Sequence, residues 1–123
     1  MVSPRAYDRI LEPPPGHSFF LFGMHGAGKS TWAKAVLPAA HRIDLLDEGL
    51  FHAYLREPTL FANELRPLPR GATVVVDEIQ RLPTLLNEVH RFIEDRRLRF
   101  VLLGSSARKL KHAGTNLLAG RAL

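Results

Sequence analysis

At 123 residues the chain suits one modest hydrophobic core, a size at which folding buries about two-thirds of the unfolded surface, and its 46% hydrophobic content excludes wholesale disorder. The absence of cysteine excludes disulfide scaffolds, thiolate zinc sites and cysteine nucleophiles; no apolar run nears the roughly 18 residues of a bilayer span, and no apolar signal core follows Met1-Val2-Ser3-Pro4-Arg5, so a cytoplasmic location is expected. Seventeen Lys and Arg against twelve Asp and Glu leave +5, a balance that suits a polyanionic partner and an ordinary solvated surface equally.

In chain order, Ser3-Pro4 can open a short helix with Tyr7, Ile10 and Leu11 on one face, stopped by Pro13-Pro14-Pro15-Gly16. Ser18 to Phe22 is a short apolar run ended by glycine and reads as a buried strand. A helix is expected from Ser30 to about Leu37, then a weaker strand over Arg42 to Leu46. Asp47 caps a helix carrying Leu50, Tyr54 and Leu55 that Pro58 ends, and Thr59 to Leu65 reads as another short helical piece. A proline-glycine turn over 67–71 leads into Ala72 to Val76, the clearest strand. Pro83 to Asp95 is the most amphipathic helix, with Leu85, Leu86, Val89 and Ile93 on one face; Arg99 to Leu103 is the next strand, closed by Gly104. The remainder, from Ser105, is basic and reads as two helical pieces split at Gly114. Strands alternating with helices predict an α/β fold in three layers, a parallel sheet covered on both faces.

Between the first strand and the first long helix stands Gly23-Met24-His25-Gly26-Ala27-Gly28-Lys29-Ser30, a complete G-x-x-x-x-G-K-S. Glycines let the backbone turn so that successive N–H groups point inward at phosphate oxygens, and the helix start adds its positive end. Lys29 is placed to reach β- and γ-phosphates, Ser30 to offer its hydroxyl to Mg²⁺, and Thr31 to extend the cradle by one residue. A glycine-rich turn before a helix is the plain alternative, but average residue usage gives such a match by chance in roughly half a per cent of chains this long. Val74-Val75-Val76-Asp77-Glu78 then puts two acids at the carboxyl end of a buried strand, the end at which ligands bind in a parallel sheet. Asp77 suits Mg²⁺ and Glu78 suits deprotonating the water that attacks a γ-phosphate, while either acid could instead cap the following helix. The combination favours nucleotide hydrolysis over nucleotide kinase chemistry, which needs an acceptor site more than a base beside the metal ligand.

With these residues placed, the sequence resembles the additional-strand P-loop ATPases of AAA type, and more closely the prokaryotic AAA family ATPases that carry a C-terminal DUF4143 domain. The resemblance rests on Val76-Asp77-Glu78-Ile79-Gln80-Arg81-Leu82-Pro83, Leu103-Gly104-Ser105-Ser106-Ala107-Arg108-Lys109-Leu110 and Leu118-Ala119-Gly120-Arg121, in the family's order. It implies an ATPase using ATP and Mg²⁺, with Ser105 or Ser106 at the sensor position and Arg121 compensating nucleotide charge. It also implies strand order 5-1-4-3-2, so residues 1–123 are expected to form a single, incomplete ATPase domain with four strands ordered 1-4-3-2. The fifth strand and the C-terminal domain, a partner within the same protein, would follow. Phe19 to Phe22 would then be an unprotected aromatic sheet edge, from which self-association is expected. The alternative function is a nucleotide-dependent switch or interaction module with little turnover, because hydrolysis often needs an arginine supplied from elsewhere, worth about 10³–10⁵ in rate.

Other signals are weaker. Arg96, Arg97 and Arg99 with Arg108, Lys109, Lys111 and His112 would suit nucleic acid, but no aromatic platform is interleaved, and a solvated basic face is the better reading. The six histidines show no metal-binding spacing, and His25 reads as a tolerated variable position. Trp32 is expected to pack within the first turn or so of the phosphate-binding helix rather than stack on adenine.

Overall fold

The structure, a computed structural model, describes residues 17–22 and 27–105, without the side chains of residues 27, 29 and 30. The helix expected after Ser3-Pro4 and the helical pieces expected beyond Ser105 lie outside these residues. The described elements are β1 (Phe19–Phe22), α1 (Ala27–Val36), β2 (His41–Asp44), α2 (Glu48–Arg56), α3 (Thr59–Leu65), β3 (Thr73–Asp77), a single turn at Ile79–Arg81, α4 (Leu85–Arg96) and β4 (Arg99–Gly104). All four strands are parallel, ordered β1-β4-β3-β2, as expected. Parallel neighbours cannot be joined by tight turns, so β1, β2 and β3 are each followed by a helical crossover that covers the sheet.

Side-chain alternation sorts the core into two layers. On one face Phe19, Val75, Val101 and Leu103 pack against Trp32 and Ala33 of α1. On the other, Ile43, Val74, Val76, Phe100 and Leu102 meet Tyr54, Phe61, Leu65, Leu86, Val89 and Phe92 from α2, α3 and α4. Each large apolar side chain so buried contributes about 1.5–3 kcal/mol. Trp32 is fully buried, edge-on to Phe19 with ring centroids 6.2 Å apart, so its indole is packing and has no face left for a base.

Local chemistry accounts for the boundaries. Asp47 caps α2 by accepting from the Leu50 N–H at 3.2 Å. The C-terminal carbonyls of α1 are met from the sheet: Arg42 donates to Ala33 O at 3.2 Å and Leu37 O at 2.8 Å, placing a cation at the negative end of the helix. Helix α1 starts at Ala27, about one turn before the expected Ser30, so Trp32 falls in its second turn rather than its first. Leu55 is half exposed, not part of the buried face of α2. It lies about 100° around the helix from Tyr54, whereas Leu50 and Tyr54 share a face at four-residue spacing. At the other end of the order, β1 is hydrogen-bonded to β4 alone among the described strands. Its four aromatic or aliphatic residues are buried or half-buried, with Phe20 stacked on Phe22. No helix among the described residues is long and apolar enough to cross a membrane.

Candidate functional site

The strand registers bring the chemistry to one edge. Asp44 of β2 lies beside Asp77 of β3, Asp77 beside Leu103 of β4, and Phe22 of β1 beside Gly104. The chain leaves β1 at this edge and re-enters as α1 at Ala27, so the N-terminal end of α1, where the first N–H groups have no acceptor within the helix and the dipole is positive, belongs to the same edge as the acids. Asp77 shares the α1 face of β3 with Val75 by alternation, and a cavity of about 210 Å³ lined by Ala33, Lys34, Arg42, Asp44, Asp77 and Leu103 opens there. A larger hollow of about 670 Å³ sits at the opposite end, bounded by the Pro38–Ala40 and Leu68–Pro69 turns; no carboxylate lines it.

Glu78 ends β3 differently from its neighbour. It is 6% exposed, and its backbone is left-handed, φ 59° and ψ 47°. For a residue with a Cβ that conformation costs about 1–2 kcal/mol, and here it makes no side-chain cap for the turn that follows. The capping role open to Glu78 in the sequence is therefore not the one it takes. The reversal turns the chain back over the end of β4. Glu78 Oε1 accepts from the Gln80 amide and, at 3.2 Å, from the Ser105 hydroxyl, while Gln80 Nε2 also donates to Ser105 Oγ at 3.2 Å. Two candidates read from the sequence 27 positions apart, Glu78 and Ser105, are thus in direct contact.

The turn is pinned from outside by Arg81. Its guanidinium donates to Leu45 O at 2.8 Å, pairs with Glu48 at 3.1 Å and lies 4.2 Å over the Phe51 ring, so the segment after the two acids is tied to the start of α2. Gly104 makes the close approach possible: a Cβ there would run into the Gln80 amide oxygen and come within 2.7 Å of the Phe22 ring. Gln80 and Arg81 are the site-edge residues that sequence reasoning did not single out, although both stand in the segment that carried the resemblance.

Of the remaining candidates, Thr31 is exposed on α1 and Gly28 is half-buried in its first turn. Gly23, Met24, His25, Gly26 and Arg121 lie outside the described residues, as do the side chains of Ala27, Lys29 and Ser30. No group of three or more His, Asp or Glu side chains that could hold a metal ion occurs among the described residues.

No curated protein matches this sequence. The AAA domain family AAA_14 matches residues 16–123, from the strand before the glycine-rich segment through the Leu118-Ala119-Gly120-Arg121 segment. With that match laid over a 1-4-3-2 parallel sheet whose carboxyl edge gathers the acids and the start of α1, the chain belongs to the AAA domain family and is an AAA-type nucleotide-binding domain.

Proposed function

We propose that this domain binds Mg·ATP and hydrolyses it to ADP and inorganic phosphate. One juxtaposition carries the reading: Asp77 and Glu78 end a central buried strand at the edge where β1 gives way to the G-x-x-x-x-G-K-S segment and α1. Gly23 to Thr31 would wrap the triphosphate with backbone N–H groups, and Lys29 would pair with its β- and γ-oxygens. Glu78 takes the proton of the attacking water as the water oxygen bonds to the γ-phosphorus. The bond from that phosphorus to the β–γ bridging oxygen breaks, and its electron pair leaves with ADP.

Hard oxygen donors are what Mg²⁺ takes, one or two from protein and the rest from phosphate and water, and the Asp77 carboxylate at the strand end with the Ser30 hydroxyl is such a set. When bound, the ion would draw charge from the phosphate oxygens. Ser105 would donate to a γ-oxygen or to the attacking water, and Arg121 would offset nucleotide charge. The closer resemblance, to prokaryotic ATPases with a C-terminal DUF4143 domain, belongs to the same proposal.

Calorimetry with Mg·ATP and an assay of phosphate release test it together. Lys29→Ala is expected to abolish binding, because it removes the side-chain cation of the cradle. Equal affinity for mutant and wild type would refute the phosphate-loop assignment. Binding without phosphate release would leave a nucleotide-dependent switch in place of a hydrolase.

A further inference from the structure

Glu78, Gln80 and Ser105 form a closed ring of three hydrogen bonds with a fixed direction. The Gln80 amide spends one N–H on Glu78 Oε1 and the other on Ser105 Oγ, and the Ser105 hydroxyl spends its only proton on Glu78 Oε1. Rotating the amide by half a turn would set its oxygen against the carboxylate, so charge alone selects the orientation seen. That oxygen is buried against the Gly104 backbone, with no hydrogen-bond partner among the described residues. A buried amide oxygen left without a partner costs about 1–3 kcal/mol. The left-handed backbone of Glu78 adds its own cost, and the absence of a Cβ at Gly104 is a requirement of the same arrangement.

We propose that Gln80 is a positioning residue for ATP hydrolysis, holding the Glu78 carboxylate in place while Ser105 exchanges partners. The proposal rests on Glu78 being the base. Ser105 has one proton to give. When it donates to a γ-phosphate oxygen it gives up its place on Glu78 Oε1 to the attacking water, while the Gln80 amide, bonded to the same oxygen, keeps the carboxylate aimed during that exchange. Gln80 thereby links nucleotide contact at Ser105 to the readiness of Glu78.

The test is steady-state ATP hydrolysis by the full-length protein and its Gln80→Met and Gln80→Glu variants. The first keeps the length without a donor, and the second keeps the shape but presents an acceptor. Both are expected to lower kcat about 10–100-fold, the usual loss when a supporting partner of a functional group is removed, with KM for ATP changed less than about threefold. In a Glu78→Gln background the Gln80→Met change is expected to cost less than about twofold more, because residues acting as a unit are not additive. Melting temperatures establish that each variant is folded, and either substitution alone suffices if the other does not fold. Wild-type kcat in the folded Gln80→Met or Gln80→Glu variant, or an undiminished loss in the Glu78→Gln background, would overturn the positioning role while leaving the hydrolytic reading intact. Absent turnover by the wild type, or unimpaired turnover by Glu78→Gln, removes the base and the proposal with it.

Discussion

Two glutamates of this domain each stand at the centre of a small polar cluster. Glu64 of α3 accepts from the Tyr54 hydroxyl with one oxygen and contacts His41 Nε2 at 2.7 Å with the other, joining α2, α3 and the start of β2. Glu78 accepts from Gln80 and Ser105 at the carboxyl edge of the sheet. Glu64 is 32% exposed and sits in a regular helix, and its two partners come from elsewhere in the fold, so the cluster fastens elements together. Glu78 is almost fully buried on a strained backbone, beside a second acid, and one of its partners is only two residues away. A fold gains little from burying a carboxylate under strain for a partner that close, and strain that packing does not require is what functional edges accumulate. Number of hydrogen bonds does not separate the two clusters; backbone conformation and place on the sheet do.

The largest effect that should separate them is on turnover. Glu78→Gln keeps the shape but cannot accept a proton, and is expected to lower ATP hydrolysis about 10²–10⁴-fold with nucleotide binding retained. Glu64→Gln should leave the rate within about twofold of wild type, as suits a group outside the reacting centre. Phosphate release by both variants checks this. Equal losses would mean that the carboxyl edge of the sheet is not where the chemistry occurs.

Stability should show the reverse order. Glu64→Ala strands the buried Tyr54 hydroxyl without its acceptor and frees His41, for an expected loss of about 1–3 kcal/mol. That corresponds to a fall in Tm of several degrees, readable by calorimetry or circular dichroism. A melting temperature unchanged by Glu64→Ala would mean that the cluster is incidental to how α2 and α3 are held.

These contrasts bear on what the sequence alone conveys. The Asp47 cap, the Thr59–Leu65 helix and the buried Val74 to Val76 run were legible, because capping, helix period and β-branched runs are local signals. So were Asp77 and Glu78 as a strand-end pair. The Gln80 contact was not, since it exists only because Glu78 adopts φ 59°, a conformation that local propensity does not assign to glutamate. Arg42 and Glu64 were equally opaque: one reaches the end of α1 and the other reaches β2, and tertiary neighbours of that kind leave no spacing to read. The sequence places the start of α1 late because Ala27 and Gly28 look like loop residues, yet the helix begins inside the glycine-rich segment.

Backbone strain allows a finer comparison, because a second residue with a side chain is also left-handed. Arg97, φ 56°, closes α4, where its N–H and that of Leu98 both return to Phe92 O, a helix end at which the left-handed turn is ordinary. Glycine at either position relieves about 1 kcal/mol of strain. Arg97→Gly should therefore raise stability by up to about 1 kcal/mol with turnover unchanged. Glu78→Gly gains the same relief but strands the Gln80 and Ser105 donors, so it should stabilise less than Arg97→Gly, and at the loss of turnover. Urea unfolding beside phosphate release distinguishes them. A destabilised Glu78→Gly variant would mean that the ring of hydrogen bonds outweighs the strain it imposes.

The smallest effect concerns pH and the Glu64 cluster alone. Burial holds the Tyr54 hydroxyl well above its ordinary range, assisted by its hydrogen bond to Glu64 and by the Glu64 charge. A folded-state value above the unfolded one, about 10, means that both states keep the proton below that pH and the contribution to stability is complete there. Above it the unfolded chain loses its proton first, so stability falls as pH rises toward the folded value, by at most about 1.4 kcal/mol per pH unit. Tyr54→Phe has no proton to lose. It should be less stable than wild type by about 1 kcal/mol near pH 8, and the gap should close between about pH 10 and 11.5 as the wild type declines more steeply. Urea midpoints at pH 8 and at pH 11 read the difference, and curves for the two proteins that remain parallel across that window would show that Tyr54 ionises as freely in the folded protein as in the unfolded chain.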